Sequence, residues 1–307
     1  MLFRSVISFL IVNYKVGDLI HQSIQSIEQH VYTPYEIIVF DNASNDGSVE
    51  SLMGAYNNTR VIASDKNLGF GIGNNEAFKH SKGEYIFLLN PDTILFDDSV
   101  DRMIAYMKAD ENTGLVSPRL LYEDGSLQRS IRKFYSYWGS LLDNRFMNPV
   151  IAKFPNITEW FPGLLDHNKS QFIDWAKGAA LLIRREVIDE IGLFDKQFFI
   201  YGEEMDLCYR IGEAGWDKVY LNSCSIIHLE GKSTIQSSAR MFLMNYKGMY
   251  LFLKKHFDRE ILIQYHSRVW WMARLILSIS YFNDDRRELY KTLIKWHSEE
   301  GRNIAYF

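Results

Sequence analysis

The chain has 307 residues, of which 47% are hydrophobic, 15% aromatic and 23% charged. This is ordinary globular composition, and it excludes a disordered chain, a collagen-like repeat and a bare coiled coil. The formal net charge of −4 is too close to neutral for a general nucleic-acid binder. The two cysteines, Cys208 and Cys224, are too few for a disulfide framework, so we expect a reducing, cytoplasmic compartment.

The distribution of charge divides the chain. Residues 1–235 hold 22 Lys and Arg against 31 Asp and Glu, whereas residues 236–307 hold 12 against 7 and carry fourteen aromatic residues. An acidic body with a basic, aromatic C-terminal part predicts an anionic surface nearby. The longest apolar stretch, 269–282, is interrupted by Arg274 and is short of the roughly 18 apolar residues of a membrane span.

Apolar runs and helical patterns alternate over the first 120 residues. The runs at 6–12, 36–40, 60–63 and 85–89 predict strands, and the patterns at 19–27, 49–56 and 75–80 predict helices between them. Such alternation is typical of βαβ units and a parallel sheet that is buried on both faces. Since ligands bind at the carboxyl ends of such strands, we expect the chemistry in the loops after residues 12, 40 and 89.

Beyond residue 120 the pattern changes twice. Residues 123–171 form a long irregular segment with Pro149, Pro155 and Pro162, which is more typical of a binding segment than of filler. Further strands are predicted at 172–175, 179–184 and 225–228, with a helix at 185–191. The remaining helical patterns lie at 237–257, 260–282 and 285–299. We therefore predict an α/β domain over 1–235 and a helical extension over 236–307.

Two aspartates follow predicted strands. Asp41 could accept a hydrogen bond from the N3–H of uracil or thymine, but the sequence 41–44 (Asp-Asn-Ala-Ser) also suits a turn that caps the next helix, and we favour the turn. Asp92 follows the apolar strand 85–89, where it could hold a divalent cation against a diphosphate. His228 ends another apolar run, and a histidine there is more often structural than a ligand.

The segment 67–75 (Asn-Leu-Gly-Phe-Gly-Ile-Gly-Asn-Asn) has three alternating glycines before a predicted helix. Its backbone N–H groups could face a phosphate, although the spacing is not that of a dinucleotide fingerprint. A flexible connection explains the glycines nearly as well.

Three carboxylates, Glu203, Glu204 and Asp206, lie within four positions at the start of a helix. Plain helix capping explains them, because negative charge is stabilised at a helix N-terminus. The preceding residues 198–201 (Phe-Phe-Ile-Tyr) would partly desolvate the acids, however, and desolvation makes a carboxylate a better general base.

Taken together, these segments resemble the inverting family 2 glycosyltransferases, in particular their bacterial rhamnosyltransferase-like branch. The resemblance spans residues 5–235, and its motifs occur in the order of that family. The matching stretches are 12–14, 40–48, 67–75, 89–93, 175–179, 192–210 and 228–233.

The resemblance implies a GT-A fold, in which a Rossmann-like nucleotide-binding half joins an acceptor-binding half, followed here by C-terminal helices. Glu204 occupies the position of the catalytic base, with Glu203 beside it, and the choice between the two stays open. Asp92 matches the metal-binding acid of an Asp-x-Asp motif whose first acid is Asn90 here, and His228 matches a metal or diphosphate contact, with Mg²⁺ or Mn²⁺ as the ion. The donor contacts implied by position are Asn13, Tyr14, Asp41, Asn67, Gly69, Asn74, Asn75, Asp92, Lys177 and Gly178.

The implied activity is metal-dependent, inverting transfer of rhamnose or a hexose in bacterial surface polysaccharide synthesis. The donor would be a dTDP- or UDP-linked sugar and the acceptor a glycan or a lipid-linked glycan, with no nucleic-acid partner. Two alternatives are a sugar nucleotidyltransferase and a non-catalytic carbohydrate-binding protein on a degenerate transferase fold. The first usually has a glycine-rich, basic loop near the N-terminus, and the acids at 92, 203 and 204 argue against the second.

The C-terminal helices raise the question of a further partner. Arg240, Lys247 and Lys254 recur every seven residues, and Trp270–Trp271 and Arg274 lie in the next apolar segment. The pattern fits an anionic membrane surface and, equally, a helical cap that packs on the catalytic domain or on a second subunit. We expect peripheral attachment to the inner face of the cell membrane, because acceptors in this branch are often lipid-linked.

Overall fold

The structure, a computed structural model, describes residues 6–134, 165–229, 238–279 and 284–305. The chain divides into two compact units: Met1–Phe199 with Glu203–Thr234, and Ile200–Gly202 with Ile235–Phe307. Most of the irregular segment predicted at 123–171, with its three prolines, lies outside the described residues.

The first unit contains an alternation of strands and helices. Its strands are β1 (Ile7–Asn13), β2 (Tyr35–Asp41), β3 (Thr59–Ala63), β4 (Tyr85–Leu89), β5 (Thr93–Ile94), β6 (Thr113–Leu121), β7 (Leu127–Gln128), β8 (Ile131–Arg132), β9 (Gln171–Phe172), β10 (Trp175–Ala176), β11 (Ala180–Arg184) and β12 (Asp217–His228). Its helices are α1 (Leu19–His30), α2 (Ser48–Leu52), α3 (Phe70–Phe78), α4 (Ser99–Ala109), α5 (Arg185–Ile191) and α6 (Glu203–Glu213).

The main sheet of this unit has the order β3-β2-β1-β4-β11-β6-β12-β5, with β7 paired to β6 and β9 paired to β12, and the short strands β8 and β10 form a separate two-stranded sheet. The pairs β1–β2, β1–β4 and β2–β3 are parallel, as the βαβ pattern predicts. Strand β11 is antiparallel to both of its neighbours, so the sheet is mixed rather than parallel throughout. The α/β fold class is confirmed, with helices following at the C-terminal end of the chain.

The sheet is buried on both faces, and alternate side chains of β1 face opposite hydrophobic clusters. Phe9 and Ile11 pack in the cluster that contains Ile24 of α1, while Leu10 packs in the cluster that contains Leu207 of α6. This alternation follows from the two-residue period of a strand, and it explains why β1, β4 and β11 are continuous apolar runs.

Several predicted boundaries differ from the observed ones. Helix α2 ends at Leu52 instead of residue 56, because Gly54 follows with a φ of +76°, a backbone conformation that terminates helices. Helix α3 begins at Phe70 rather than near residue 75, so two of the three alternating glycines lie inside a helix. Strand β6 lies outside the predicted elements, since Gly114 and Pro118 interrupt its apolar pattern.

The second unit consists of the helices α7 (Ser238–His256), α8 (Arg259–Ile279) and α9 (Asp284–Ala305), together with residues 200–202. The α9 residue His297 is fully buried, and its Nδ1 lies 2.8 Å from Nδ1 of His266 on α8. Burial and the nearby His266 lower the pKa of His297 to about 3, so this histidine is neutral at physiological pH. Among the described helices, none is both long enough and apolar enough to cross a membrane.

In the first unit, the buried ring of His167 connects two described segments by hydrogen bonds, and these bonds fix its tautomer. Its Nδ1 lies 2.8 Å from the carbonyl oxygen of Leu165 and donates to it, because a carbonyl can only accept. Its Nε2 accepts the backbone N–H groups of Ser130 (3.2 Å) and Ile131 (3.4 Å). Burial of this neutral ring lowers the pKa of His167 below 6.5.

This lowered pKa predicts a loss of stability in acid. The unfolded chain binds a proton at the His167 position more readily than the folded chain, so stability is fully present above pH 6.5 and declines as the pH falls below it. We expect the free energy of unfolding, measured by urea titration at pH 7.5 and 5.5, to fall less steeply with pH in His167→Gln than in the wild type.

The matched control is His80→Gln, which replaces a partly exposed histidine of the same unit and should leave the pH dependence as in the wild type. An unchanged pH dependence in His167→Gln would contradict the assigned tautomer.

Candidate active site

The ends of β1 and β2 are joined by a pair of buried polar side chains. Asn13 and Asp41 are opposite each other in the parallel register, and the Asn13 amide donates to Oδ1 of Asp41 at 2.7 Å. The same amide lies 2.7 Å from Oγ of Ser48, and the N–H of Ser44 donates to Oδ2 of Asp41 at 3.1 Å. Asp41 therefore organises its own turn, as the favoured interpretation predicts, while its contact with a nucleotide base stays a prediction.

The loops beside this pair contain strained backbone. Lys15, Ala43 and Asn45 have φ values of 54°, 61° and 50°, and such a conformation costs a non-glycine residue about 1–3 kcal/mol. The loops are held together by a hydrogen bond from the Lys15 N–H to Oγ of Ser44 at 3.0 Å. Tyr14, half-buried in the same loop, has Nζ of Lys15 over its ring at 5.5 Å from the centroid. Strain of this kind is concentrated at ligand sites.

The side chain of Asn42 holds the glycine-rich segment by two hydrogen bonds to its backbone. The sequence does not single out this residue. Oδ1 of Asn42 accepts the N–H of Leu68 at 2.7 Å, and its amide donates to the carbonyl of Gly69 at 3.1 Å. Oδ1 of Asn67 accepts the N–H of Gly69 at 2.9 Å, and the N–H of Phe70 donates to Phe199 at 3.0 Å. The three consecutive N–H groups at 68–70 are therefore engaged inside the protein.

Close packing accounts for the glycines themselves. A methyl group added at Gly69, whose φ is +86°, would overlap the backbone of Phe199. One added at Gly73 would lie 3.0 Å from a methyl carbon of Val12 at the end of β1. The segment is thus a tightly packed helix entry instead of a flexible connection, and the phosphate contact assigned to Gly69 stays a prediction.

Asn74 and Asn75 hold helix α3 in place. The Asn74 amide donates to the carbonyl of Phe70 at 3.1 Å. Asn75 pairs twice with the backbone of Phe194, since its amide donates to the carbonyl at 2.8 Å and its oxygen accepts the N–H at 3.0 Å. Both side chains therefore have structural contacts, and the donor contacts assigned to them stay predictions.

A carboxylate and an imidazole meet at the end of β4. Strand β5 pairs antiparallel with the end of β12, which places Thr93 opposite His228. As a result, Oδ1 of Asp92 lies 3.4 Å from Nε2 of His228, and both residues are buried. The structure thus brings together the two residues that the resemblance implies as metal ligands.

The orientation of His228 is set by Gln128, a second residue that the sequence analysis did not single out. Nδ1 of His228 lies 2.8 Å from Oε1 of Gln128, so Nδ1 carries a proton and Nε2 faces Asp92. Asn90 places its amide 3.4 Å from the same Nε2. Fixing one ring nitrogen by a hydrogen bond is how proteins orient a ligating histidine.

The donor set is compatible with a divalent cation. Carboxylate oxygen suits Mg²⁺ and Mn²⁺, and imidazole nitrogen suits transition metals such as Mn²⁺ better than Mg²⁺. Within the described ranges, no group of three or more His, Cys, Asp and Glu side chains converges as a metal site. Asp92 and His228 therefore form an incomplete donor pair, which needs further ligands from a substrate or from water.

Residues 177–179 connect this pair to the candidate base. The carbonyl of Ala179 accepts the N–H of Asn90 at 2.9 Å, and the N–H of Lys177 donates to Ser130 at 2.9 Å. A methyl group added at Gly178 would lie 3.5 Å from Cβ of Glu204 and 3.7 Å from the ring of Phe70. Glu204 therefore lies against the segment that pairs with the end of β4.

Glu203 and Glu204 are both in the first turn of α6, but their surroundings differ. Glu203 is 4% exposed, and its Oε2 has no hydrogen-bond partner among the described residues. Burial raises the pKa of Glu203 well above its ordinary value, and the negative charge of Glu204 raises it further. Glu204 is only half-buried, so its carboxylate retains contact with solvent.

Helix α6 is anchored through Asp206, which is also in its first turn. Asp206 is fully buried and accepts a hydrogen bond from Nε of Arg210 at 2.8 Å. The same guanidinium donates to the carbonyls of Ile191 (2.8 Å) and Gly192 (3.0 Å), at the end of α5. The third acid of the acidic cluster thus has a structural partner, and it fixes the helix that carries the other two.

Comparison with known proteins decides the family. Residues 8–191 match the family described as "Glycosyl transferase family 2". The chain belongs to this family. The match covers β1 to α5, and it confirms the family resemblance and the GT-A fold class inferred from the sequence.

Relatives extend the similarity beyond the matched region. The chain is 27% identical to an N-acetylglucosaminyl-diphospho-decaprenol L-rhamnosyltransferase of Mycobacterium tuberculosis, over 88% of each chain. It is 24% identical to a rhamnosyltransferase of Escherichia coli, over 83% of this chain and 97% of the relative. A hexosyltransferase of low-salt glycan biosynthesis in Haloferax volcanii is 25% identical, over 83% of this chain and 78% of the relative. These similarities support glycosyltransferase activity of the rhamnosyltransferase-like kind, in glycan or polysaccharide synthesis.

Proposed function

We propose that the protein is an inverting glycosyltransferase of bacterial surface polysaccharide synthesis. It transfers rhamnose or a hexose from a dTDP- or UDP-linked donor to a glycan or lipid-linked glycan. The observation that carries the proposal is the short path between Glu204 and Asp92. Glu204 lies against Gly178. The next residue, Ala179, accepts a backbone hydrogen bond from Asn90, which is two residues before Asp92.

The proposed reaction is a single displacement. The acceptor hydroxyl oxygen attacks the anomeric carbon, its proton passes to the carboxylate of Glu204, and the bond from that carbon to the diphosphate oxygen breaks. Attack opposite the leaving group inverts the anomeric centre and requires no covalent enzyme intermediate. Glu204 fits the role of base better than Glu203, because Glu204 is only half-buried, whereas burial raises the pKa of Glu203 and so favours its protonated form, which cannot accept a proton.

Asp92 and His228 would hold Mg²⁺ or Mn²⁺. Such an ion supplies positive charge that stabilises a diphosphate leaving group. The chain's own contribution is to keep Nε2 of His228 directed at Asp92 through the Gln128 hydrogen bond.

The ends of the strands and the relatives support the proposed donor and acceptor. The remaining donor contacts proposed from position are Asn13, Tyr14, Asp41, Asn67, Gly69, Asn74, Asn75, Lys177 and Gly178. The name of the mycobacterial relative specifies an L-rhamnosyl group and a decaprenol-linked acceptor, which supports a rhamnose donor and a lipid-linked acceptor for this chain.

A lipid-linked acceptor suits peripheral attachment to the inner face of the cell membrane. On helix α8, Trp271, Met272 and Leu275 are 65%, 41% and 57% exposed, and we call these three residues the α8 patch. In the sequence, Arg268 lies three residues before Trp271 and Arg274 lies next to Leu275, and residues 261–279 contain no Asp or Glu. Exposed tryptophan and aliphatic side chains next to arginines suit an anionic lipid surface.

A screen of nucleotide sugars tests the proposed function. The purified protein is incubated with dTDP-rhamnose and with UDP-hexoses, with and without Mn²⁺, and release of the nucleoside diphosphate is measured. Release from one of these donors, with metal, is expected. Release of pyrophosphate from a nucleoside triphosphate would favour a nucleotidyltransferase instead, and donor binding without turnover would favour a non-catalytic binding protein.

The assignment of the base predicts different results for two neighbouring variants. Glu204→Gln should lower the rate of transfer about 10²–10⁴-fold, the usual effect of losing a general base. Glu203→Gln should keep most of the activity, because Gln resembles the protonated side chain. Initial rates at saturating donor compare the two variants under identical conditions.

A stability measurement serves as the control for Glu203. Its pKa is raised in the folded state, so the stabilisation that Glu203 itself contributes is fully present below its ordinary pKa of 4.5 and is lost as the pH rises towards the raised value. Glu203→Gln should lack this decline. Wild-type rates in Glu204→Gln together with an inactive Glu203→Gln would reverse the assignment.

The metal proposal predicts a binding site that can be measured without turnover. Titration with Mn²⁺ alone, followed by electron paramagnetic resonance, should show binding to the wild type that weakens in Asp92→Asn and in His228→Gln. The control is Asp189→Asn, at an exposed carboxylate of α5; equal binding in all four proteins would refute the site.

Membrane attachment predicts flotation of the protein with lipid vesicles. Vesicles that contain phosphatidylglycerol should bind the wild type, with weaker binding at high salt, and pure phosphatidylcholine vesicles should bind it less. The double variant Trp271→Ser with Leu275→Ser should lose the binding, whereas Ile263→Ser, at another exposed position of α8, should retain it. If the wild type is a dimer that does not bind vesicles, and the double variant is a monomer, the α8 patch instead contacts a second subunit.

A further inference from the structure

The turn at residues 200–202, which leads into helix α6 with the proposed base, belongs to the helical unit. Residues 200–202 form one compact unit with residues 235–307, whereas Glu203 and Glu204, which follow directly, belong to the first unit. The path of the chain just before the proposed base is therefore set by contacts of Tyr201 and Gly202 within the helical unit.

This turn has an unusual backbone conformation. Tyr201 and Gly202 have φ values of 69° and 91°, so two consecutive residues are in the left-handed region. That region is accessible to glycine but costs free energy for tyrosine. Tyr201 is also tied to helix α7 through its side chain, since its hydroxyl lies 3.7 Å from the sulfur of Met241. The surrounding structure, rather than local preference, maintains the turn.

The backbone of the turn is in contact with Gly248 of α7. A methyl group added at Gly248 would overlap the carbonyl oxygen of Tyr201 and lie 2.8 Å from its carbonyl carbon. A methyl group added at Gly202 would lie 3.0 Å from the backbone of Gly248. The two backbones are thus in direct contact, and neither position has room for a side chain.

Glycine at this position weakens the helix that contains it. Gly248 lies in the interior of a 19-residue helix, where alanine would be favoured by its higher helix propensity. Close backbone approach is the ordinary reason for keeping a glycine at such a position. Alanine at 248 would therefore suit α7 itself while forcing the turn at 201–202 to move.

We propose that Gly248 is a positioning residue for the catalytic base. It seats the turn at Tyr201 and Gly202 so that Glu204, two residues after Gly202, is held at the distance and angle needed to take the acceptor proton. This role rests on the proposed function, in which Glu204 is the base. A general base must lie within hydrogen-bond reach of its proton, and a displacement of about 1 Å can lower a rate about 10²-fold.

The test compares Gly248→Ala with the wild type in the full chain, using the donor found by the screen of nucleotide sugars. In Gly248→Ala we expect kcat to fall about 10²-fold, with the acidic limb of its pH profile shifted because the surroundings of Glu204 change. Affinity for dTDP or UDP, measured by calorimetry, should stay within about twofold, since that site lies on other loops. The midpoint of thermal unfolding should fall only slightly, because the higher helix propensity of alanine partly offsets the cost of displacing the turn.

Asn245→Ala is the matched control, since it replaces an exposed residue of the same helix and should retain wild-type kcat. Hydrogen exchange provides a reading that is independent of turnover: amides of residues 201–206 should exchange faster in Gly248→Ala than in Asn245→Ala.

Three results would overturn the proposal. Wild-type kcat, pH profile and exchange in Gly248→Ala would show that the turn does not depend on Gly248. Parallel loss of kcat, nucleotide affinity and thermal stability would show that the contact serves folding alone. A folded wild type without transfer from any nucleotide sugar would remove the proposed function and the base-positioning role with it, and the exchange reading would still show whether Gly248 holds the turn.

Discussion

Strand β11 enters the sheet antiparallel to β4, so its first residues, rather than its last, lie at the edge where β1, β2 and β4 end. Ala180 pairs with Leu89, and this register places Gly178 and Ala179 beside Asn90. Because Glu204 packs on Gly178, the direction of one strand connects the candidate base to the end of β4. With β11 parallel to β4, the segment at 177–179 would lie at the opposite edge.

Polar side chains at this edge bond mainly to other parts of the protein. Asn13 bonds to Asp41, Asn42 bonds to the backbone at residues 68–69, and Asn75 bonds to the backbone of Phe194. Breaking a hydrogen bond of a buried polar group is costly, so these contacts hold the loops in one conformation before any substrate arrives. Preorganised loops of this kind reduce the ordering that binding would otherwise require.

The sequence predicts the first unit better than it predicts the pairing within the site. Strand β4 and helix α5 have the predicted bounds because each is a clear periodic run. The approach of Asp92 to His228 depends on the pairing of β5 with β12, and a two-residue strand leaves no periodic signal. Gln128 lies in another two-residue strand, within a segment without clear periodicity. Asn42 lies inside a turn motif that Asp41 and Ser44 account for, so nothing in the sequence marks it as a contact of the glycine-rich segment.

The two adjacent glutamates show why residue type alone could not assign the base. Both begin the same helix, where the dipole favours negative charge, and nothing in their order separates them. In the structure, one carboxyl is buried and the other half-buried. Because desolvation penalises the charged form, burial raises the pKa of Glu203 well above its ordinary value, whereas the half-buried Glu204 is less desolvated. The proposed division of roles therefore depends on how the two side chains pack, which the order of residues in the sequence does not show.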